Sequence, residues 1–168
     1  MGEKVHEEKL FCRWMTRINS FIFTILLLLL VYRAVTGPSL LEAFVDNTIL
    51  IIIWLVFLAV TIIFSQLTVR LDDDKIYIGF VGLFEQEISL DNVEDCYPDE
   101  GTSFKYLGWG FRVGRYNGNN RLVYNKIGGE RLVLKLKEGV YRGNFTEIVF
   151  STENSRKLSW LIEERLGD

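Results

Sequence analysis

From Lys105 to Arg142 the chain carries nine cations against two carboxylates, Glu130 and Glu138; from Glu85 to Glu100 it carries seven carboxylates and no cation. Within the basic stretch, Arg112, Arg115, Arg121, Arg131, Lys135 and Lys137 fall in segments that read as strands, so they are the candidate contacts for a membrane surface or a ligand. On one shared face they would rest on an anionic leaflet, each cation near the surface contributing about 1 kcal/mol. On the solvated faces of neighbouring strands they would instead pair with carboxylates for about 0.2–1 kcal/mol each. Arg112 has the further option of holding a phosphate or carboxylate of a ligand through its planar fork.

Other chemistry finds little support. His6 is the single histidine, which removes histidine-based triads and multi-histidine metal sites. Asp72-Asp73-Asp74 has the alternation of a calcium loop but lacks its glycine and distal glutamate, and reads as a hairpin turn. Cys12 and Cys96 lie too far apart to form a redox or zinc spacing. No Lys-Ser/Thr follows Gly108-Trp109-Gly110, so these glycines do not make a phosphate loop. With a net charge of −3, nucleic-acid binding is disfavoured. We expect a protein that is not an enzyme, with no cofactor and no metal.

Two apolar runs free of charge, Ile18 to Tyr32 and Thr48 to Ser65, precede these residues and set where they work. As helices they would rise about 22 Å and about 27 Å, against a hydrocarbon core of about 30 Å. The second is the cleaner span; the first spans if Arg17 and Arg33 lift their charged heads to the interfaces. The acidic residues Glu3, Glu7 and Glu8 and the lack of a small-x-small site favour an uncleaved anchor over a signal peptide. Spans at about 18–35 and 48–65, joined by a short external turn, make a transmembrane hairpin over 18–65. In the turn, Ser39 and Glu42 have the spacing of a capping box, which predicts a short interfacial helix. Lys4, Lys9, Arg13 and Arg17 before the first run, against Arg33 alone in the turn, orient residues 1–17 and everything after 65 toward the cytoplasm.

From residue 66 to 168 the hydrophobic period becomes two. Strands are expected at Leu67–Leu71, Lys75–Val81, Phe84–Leu90, Phe111–Tyr116, Arg121–Lys126, Arg131–Lys137 and Phe145–Phe150, about seven, antiparallel. Leu132, Leu134 and Leu136 alternate with Arg131, Lys135 and Lys137, which predicts one buried and one wet face. A final helix, capped at Ser151 or Thr152, carries Leu158, Leu161, Ile162 and Leu166 as an apolar stripe and stops at Gly167. The result is a small β-barrel or sandwich whose open end is capped by a C-terminal helix.

Two membrane helices followed by such a domain resemble prokaryotic membrane proteins with a bacterial pleckstrin-homology-like domain. Gly108-Trp109-Gly110-Phe111-Arg112 is similar to a Gly-Trp-Gly-Ile-Arg stretch in one branch of them, and Leu122-Val123-Tyr124-Asn125, Gly128-Gly129 and Val149-Phe150-Ser151-Thr152 extend the likeness. Leu107 stands where that branch has a further glycine. The resemblance implies a pleckstrin-homology-like fold at a membrane and brings no catalytic residues. The expected function is a membrane-anchored binding module presented at the cytoplasmic leaflet to a protein or to anionic lipid headgroups. The alternative is a structural subunit or homo-oligomer that packs through the hairpin, where Thr24, Thr61 and Ser65 would allow close helix contacts. The absence of ionisable residues inside either run disfavours transport.

Overall fold

The computed structural model describes residues 4–37, 45, 48–80, 83–99, 110–116, 118–139 and 144–167. These form two compact units, one of residues 12–65 and one combining residues 1–11 with 66–168.

The first unit is a helical pair. Helix α1 (Arg13–Thr36) has 24 residues and rises about 36 Å; α2 (Thr48–Ile63) has 16 and rises about 24 Å. Among the described residues, only α1 is long and apolar enough by itself to cross a bilayer. This inverts the expectation from uncharged runs: α1 continues through Arg13, Arg17 and Arg33, whereas α2 stops two residues before Ser65. Phe23 and Trp54 pack across the pair with ring centroids 5.2 Å apart. The hydroxyls of Thr24, Thr36 and Thr61 each donate to the carbonyl four residues earlier, so these polar groups are satisfied within their own helix. The capping box expected at Ser39 and Glu42 lies outside the described residues.

The second unit is sandwich-like. Its first sheet is antiparallel with order β1-β2-β3-β4, from β1 (Lys4–Phe11), β2 (Gln66–Asp72), β3 (Lys75–Phe80) and β4 (Leu83–Ser89). The second has order β5-β8-β9-β7-β6, from β5 (Val93–Pro98), β6 (Gly110–Tyr116), β7 (Asn119–Asn125), β8 (Glu130–Leu136) and β9 (Glu147–Thr152). Alternation in β2 and β3 buries Leu67, Val69, Leu71, Ile76 and Ile78, and Phe80 stacks on Tyr124 of β7 to join the sheets. Close approach at the β3–β4 irregularity requires Gly79, where a Cβ would come within 2.6 Å of the Glu85 backbone. Between β7 and β8, Gly128 and Gly129 take φ of +80° and +86°, a turn that disfavours any side chain. Helix α3 (Ser155–Leu166) buries Leu158 and Ile162, with Leu161 and Leu166 half-buried.

Four sequence expectations change. Among the described residues there are nine strands rather than about seven. The N-terminal segment contributes β1, and the acidic stretch contributes β5 through buried Val93 and Cys96. The sheets are not wholly antiparallel, since β7 and β9 pair in parallel. Strand β8 is buried on both faces along most of its length: Arg131 and Val133 are as inaccessible as the leucines, and solvent reaches the strand at Glu130 and Lys135. Asn154, not Ser151 or Thr152, caps α3; its Oδ1 accepts from the Lys157 amide at 2.9 Å, while Ser151 and Thr152 complete β9. The turn expected at Asp72-Asp73-Asp74 joins β2 to β3 through Asp73 and Asp74, with Asp72 ending β2.

Candidate functional site

Strand register gathers the basic residues of the second sheet into rows. One row runs Asp95, Lys135, Glu147, Arg121 and Gly114 across β5, β8, β9, β7 and β6. The next runs Tyr97, Val133, Val149, Val123 and Arg112. In the third, Arg131 stands opposite Ser151, with Asn125 of β7 on the same side of the sheet. All three rows belong to the face opposite Leu132, Leu134, Ile148 and Phe150, because neighbouring residues of a strand point to opposite sides.

This second face is a built, mostly buried layer. Val123, Val133 and Val149 form a small apolar cluster at its centre. Above them Arg121, 8% exposed, donates through Nε to Glu147, 4% exposed. Asn119 donates to the other Glu147 oxygen, and the Arg121 guanidinium lies 4.5 Å above the Tyr116 ring. Below them Arg131, 3% exposed, donates through Nε to Asn125 Oδ1 at 2.9 Å. Ser151 donates to the same Oδ1 at 3.3 Å and accepts the Lys126 amide at 2.8 Å. Each buried charge therefore has polar partners, the condition under which burying it is tolerable. Beside this layer, burial and then the Glu147 carboxylate push the Tyr97 hydroxyl above its ordinary range, with Arg121 opposing.

The six sequence candidates part ways here. Arg112, Arg121, Arg131 and Lys135 do share a face, but Arg121 and Arg131 are committed inside it. Lys135 binds Glu94 at 2.7 Å, and that bond and charge hold its ammonium above the usual lysine range. Arg115 points to the other side and donates to the Gly118 carbonyl at 3.3 Å. Lys137, just past β8, is exposed and its amide donates to the Asn92 carbonyl. Arg112 is half-buried on edge strand β6. The six candidates, all among the described residues, thus do not make one continuous cationic surface. Sequence reading missed Glu147, Asn125 and Ser151; the available signal was a polar residue at each end of the apolar runs Arg121–Asn125 and Glu147–Ser151.

Two further places hold polar groups. A groove of about 650 Å³ beside the start of α3 is lined by residues of both charge signs, Asp99, Glu130, Arg131 and Arg156 among them. Glu130 accepts from both the amide and the hydroxyl of Ser155 at 2.7 Å, and these bonds draw its carboxyl below the usual range. Under α3, Cys96 Sγ lies 3.5 Å from Ser159 Oγ, and burial pushes its thiol upward, the opposite of what a nucleophile needs. Among the described residues, no three potential metal ligands gather. Compared with protein-family models, with curated proteins and with solved structures, the chain matches none.

Proposed function

We propose that this chain is a membrane-anchored, non-enzymatic binding module, in which a two-span hairpin holds a pleckstrin-homology-like domain at the cytoplasmic leaflet for a protein partner. One observation carries the anchoring. Strands β1 and β2 are neighbours in one sheet, with Phe11 opposite Gln66, and α1 and α2 lie between them in the chain. A chain that leaves a sheet and returns to it crosses a bilayer an even number of times. If α1 crosses, α2 brings the chain back, and local thinning of the bilayer accommodates its shorter length. The Cys12 amide donates to the Ser65 carbonyl at 2.7 Å, which supports a hairpin closed at its base. The bias of Lys and Arg toward that base, with Arg33 alone near the far end, supports a cytoplasmic domain.

A protein partner is favoured over anionic lipid because Arg121 and Arg131 are buried among polar partners and Lys135 is paired with Glu94 at the surface. Of the six candidates, Arg115 and Lys137 are exposed and Arg112 is half-buried, fewer than the four to eight cations of a lipid-binding cluster. Protease added to sealed vesicles of known sidedness tests the topology: both termini should be cleaved from the cytoplasmic side only. Protection of one terminus and not the other would overturn the hairpin. Crosslinking in those membranes should recover a distinct partner protein; adducts of the chain with itself alone would favour the structural-subunit alternative. Salt-sensitive adsorption of the domain to anionic vesicles would restore the lipid reading.

A further inference from the structure

Helix α3 carries its charges in the order that its own dipole disfavours. The first turn of a helix favours anions and the last favours cations, yet Arg156 and Lys157 stand in the first turn, where there is no carboxylate, and Glu163 and Glu164 stand near the last. Two of these four are engaged within the domain: Arg156 lies close enough to the Glu130 carboxylate to stabilise its charge, and Glu163 accepts from Ser159 Oγ at 2.9 Å. Lys157 and Glu164 are exposed, and among the described residues neither side chain has an ion-pair partner. Between them stands Trp160, 59% exposed. Spacings of three and then four residues put Lys157, Trp160 and Glu164 on one stripe, opposite the face that buries Leu158 and Ile162.

A lone exposed aromatic needs no explanation. One held between an unanswered cation and an unanswered anion, both placed against the helix dipole, is a local rule broken twice on a single face, as happens where a surface has a task. The stripe is complementary to itself when reversed. Its midpoint falls between Trp160 and half-buried Leu161, so a twofold axis there sets Lys157 of each copy against Glu164 of the other and brings the two Trp160 rings together, an isologous contact. A parallel copy would align like charges, and a lipid surface would meet a cation and an anion that cancel. We propose that α3 is a self-association face, on which a second copy of this chain docks antiparallel, with two Lys157–Glu164 pairs flanking a centre of paired Trp160 side chains. Tryptophan is the residue type that most often dominates such centres. A contact along one helix of about 18 Å is smaller than a standard interface, so the dimer is reversible and of micromolar strength.

The contact belongs to the sandwich-like unit, so it stands apart from whether α1 and α2 cross a bilayer, and it adds a second copy of the module without displacing the partner proposed above. The full chain is studied in density-matched detergent, with micelles in large excess so that copies do not share one by chance. Sedimentation equilibrium should show a monomer–dimer equilibrium. Lys157→Glu and Glu164→Lys should each weaken it about 10-fold, because two attractive pairs become repulsive. The double variant, whose swapped charges face each other again, should return to within about 3-fold of the native chain. Both single changes suit the helix dipole better than the native residues do, so a lost dimer is not lost folding. Trp160→Ser should weaken the dimer at least about 10-fold, and Lys137→Glu, outside the stripe, should leave it unchanged. Carbodiimide treatment of mixed heavy-isotope and unlabelled chains should join Lys157 to Glu164 in peptide pairs of mixed isotope. A chain that stays monomeric at every concentration, a dimer indifferent to Trp160→Ser, or a charge reversal that its partner reversal does not rescue overturns the proposal.

Discussion

Arg121 and Glu147 make the sharpest single-residue case. Both are nearly inaccessible, and the Arg121 guanidinium donates directly to the Glu147 carboxylate. Arg121→Ala leaves a carboxylate buried with only Asn119 to answer it, and should lower stability by about 3–5 kcal/mol. Replacing both partners by apolar residues of similar size, Arg121→Met with Glu147→Leu, removes the two desolvated charges together and should recover most of that loss. Urea unfolding of the native, single and double variants checks this; a double variant as weak as Arg121→Ala would mean the pair does more than neutralise itself. A cation whose role was to contact lipid would behave otherwise, with Arg121→Ala altering membrane adsorption and sparing stability. The same pair explains why the candidate site was only half legible in the sequence. The six cations stand out by type, but Glu147 lies 26 residues beyond Arg121 and reaches it only through the parallel β7–β9 register, which no local pattern encodes. Residue type announces charge; burial and partner come from pairing.

At the scale of elements, local period and long-range pairing divide what could be read. Alternating Leu67, Val69 and Leu71 and the stripe of α3 are local signals, and both elements stand where those signals predict. Strand β1 is different: His6, Glu7, Glu8 and Lys9 read as solvated chain. Their strand exists because β2, some sixty residues later, offers a partner edge, and because Thr152 and the Glu153 amide donate to Glu8. Helix α3 shows the same dependence at its start, where the Glu130 carboxylate of β8 holds the Ser155 amide and hydroxyl. These bonds lower the Glu130 pKa in the folded chain. A lowered folded-state pKa contributes stability that is present above the unfolded carboxyl value, about 4.3 for Glu, and is lost as pH falls through the folded value. The native chain should therefore melt at a higher temperature than Glu130→Ala at pH 6–7, and the gap should close as pH is lowered through and below about 4. Melting temperatures of both chains from pH 3 to pH 7 measure it; a gap independent of pH would assign the effect to packing rather than to the charged carboxylate.

For the whole molecule, the order of elements means that the sandwich-like unit is split in sequence by the helical pair. Residues 66–168 alone would lack β1 and so leave the β2 edge, with Leu67 and Val69, open along its length; an unpaired apolar edge of that kind invites association with other chains. Loss of Leu10, which is 2% exposed, and of Glu8, which ties β1 to the end of β9, removes both apolar and polar contacts. Phe11 and Gln66 already stand directly opposite each other, so a two-residue Asn-Gly turn joining 4–11 to 66–168 should close β1 and β2 into an ordinary hairpin. The joined chain should be soluble without detergent, with a cooperative melt, whereas 66–168 alone should aggregate or melt well below it. Size-exclusion chromatography and thermal unfolding of the two chains side by side decide the matter. If both behave alike, β1 is an ornament on a self-sufficient domain, and the proposed return of the chain across a membrane loses its support, because a strand that can be shed need not hold the two ends of the helical pair on one side.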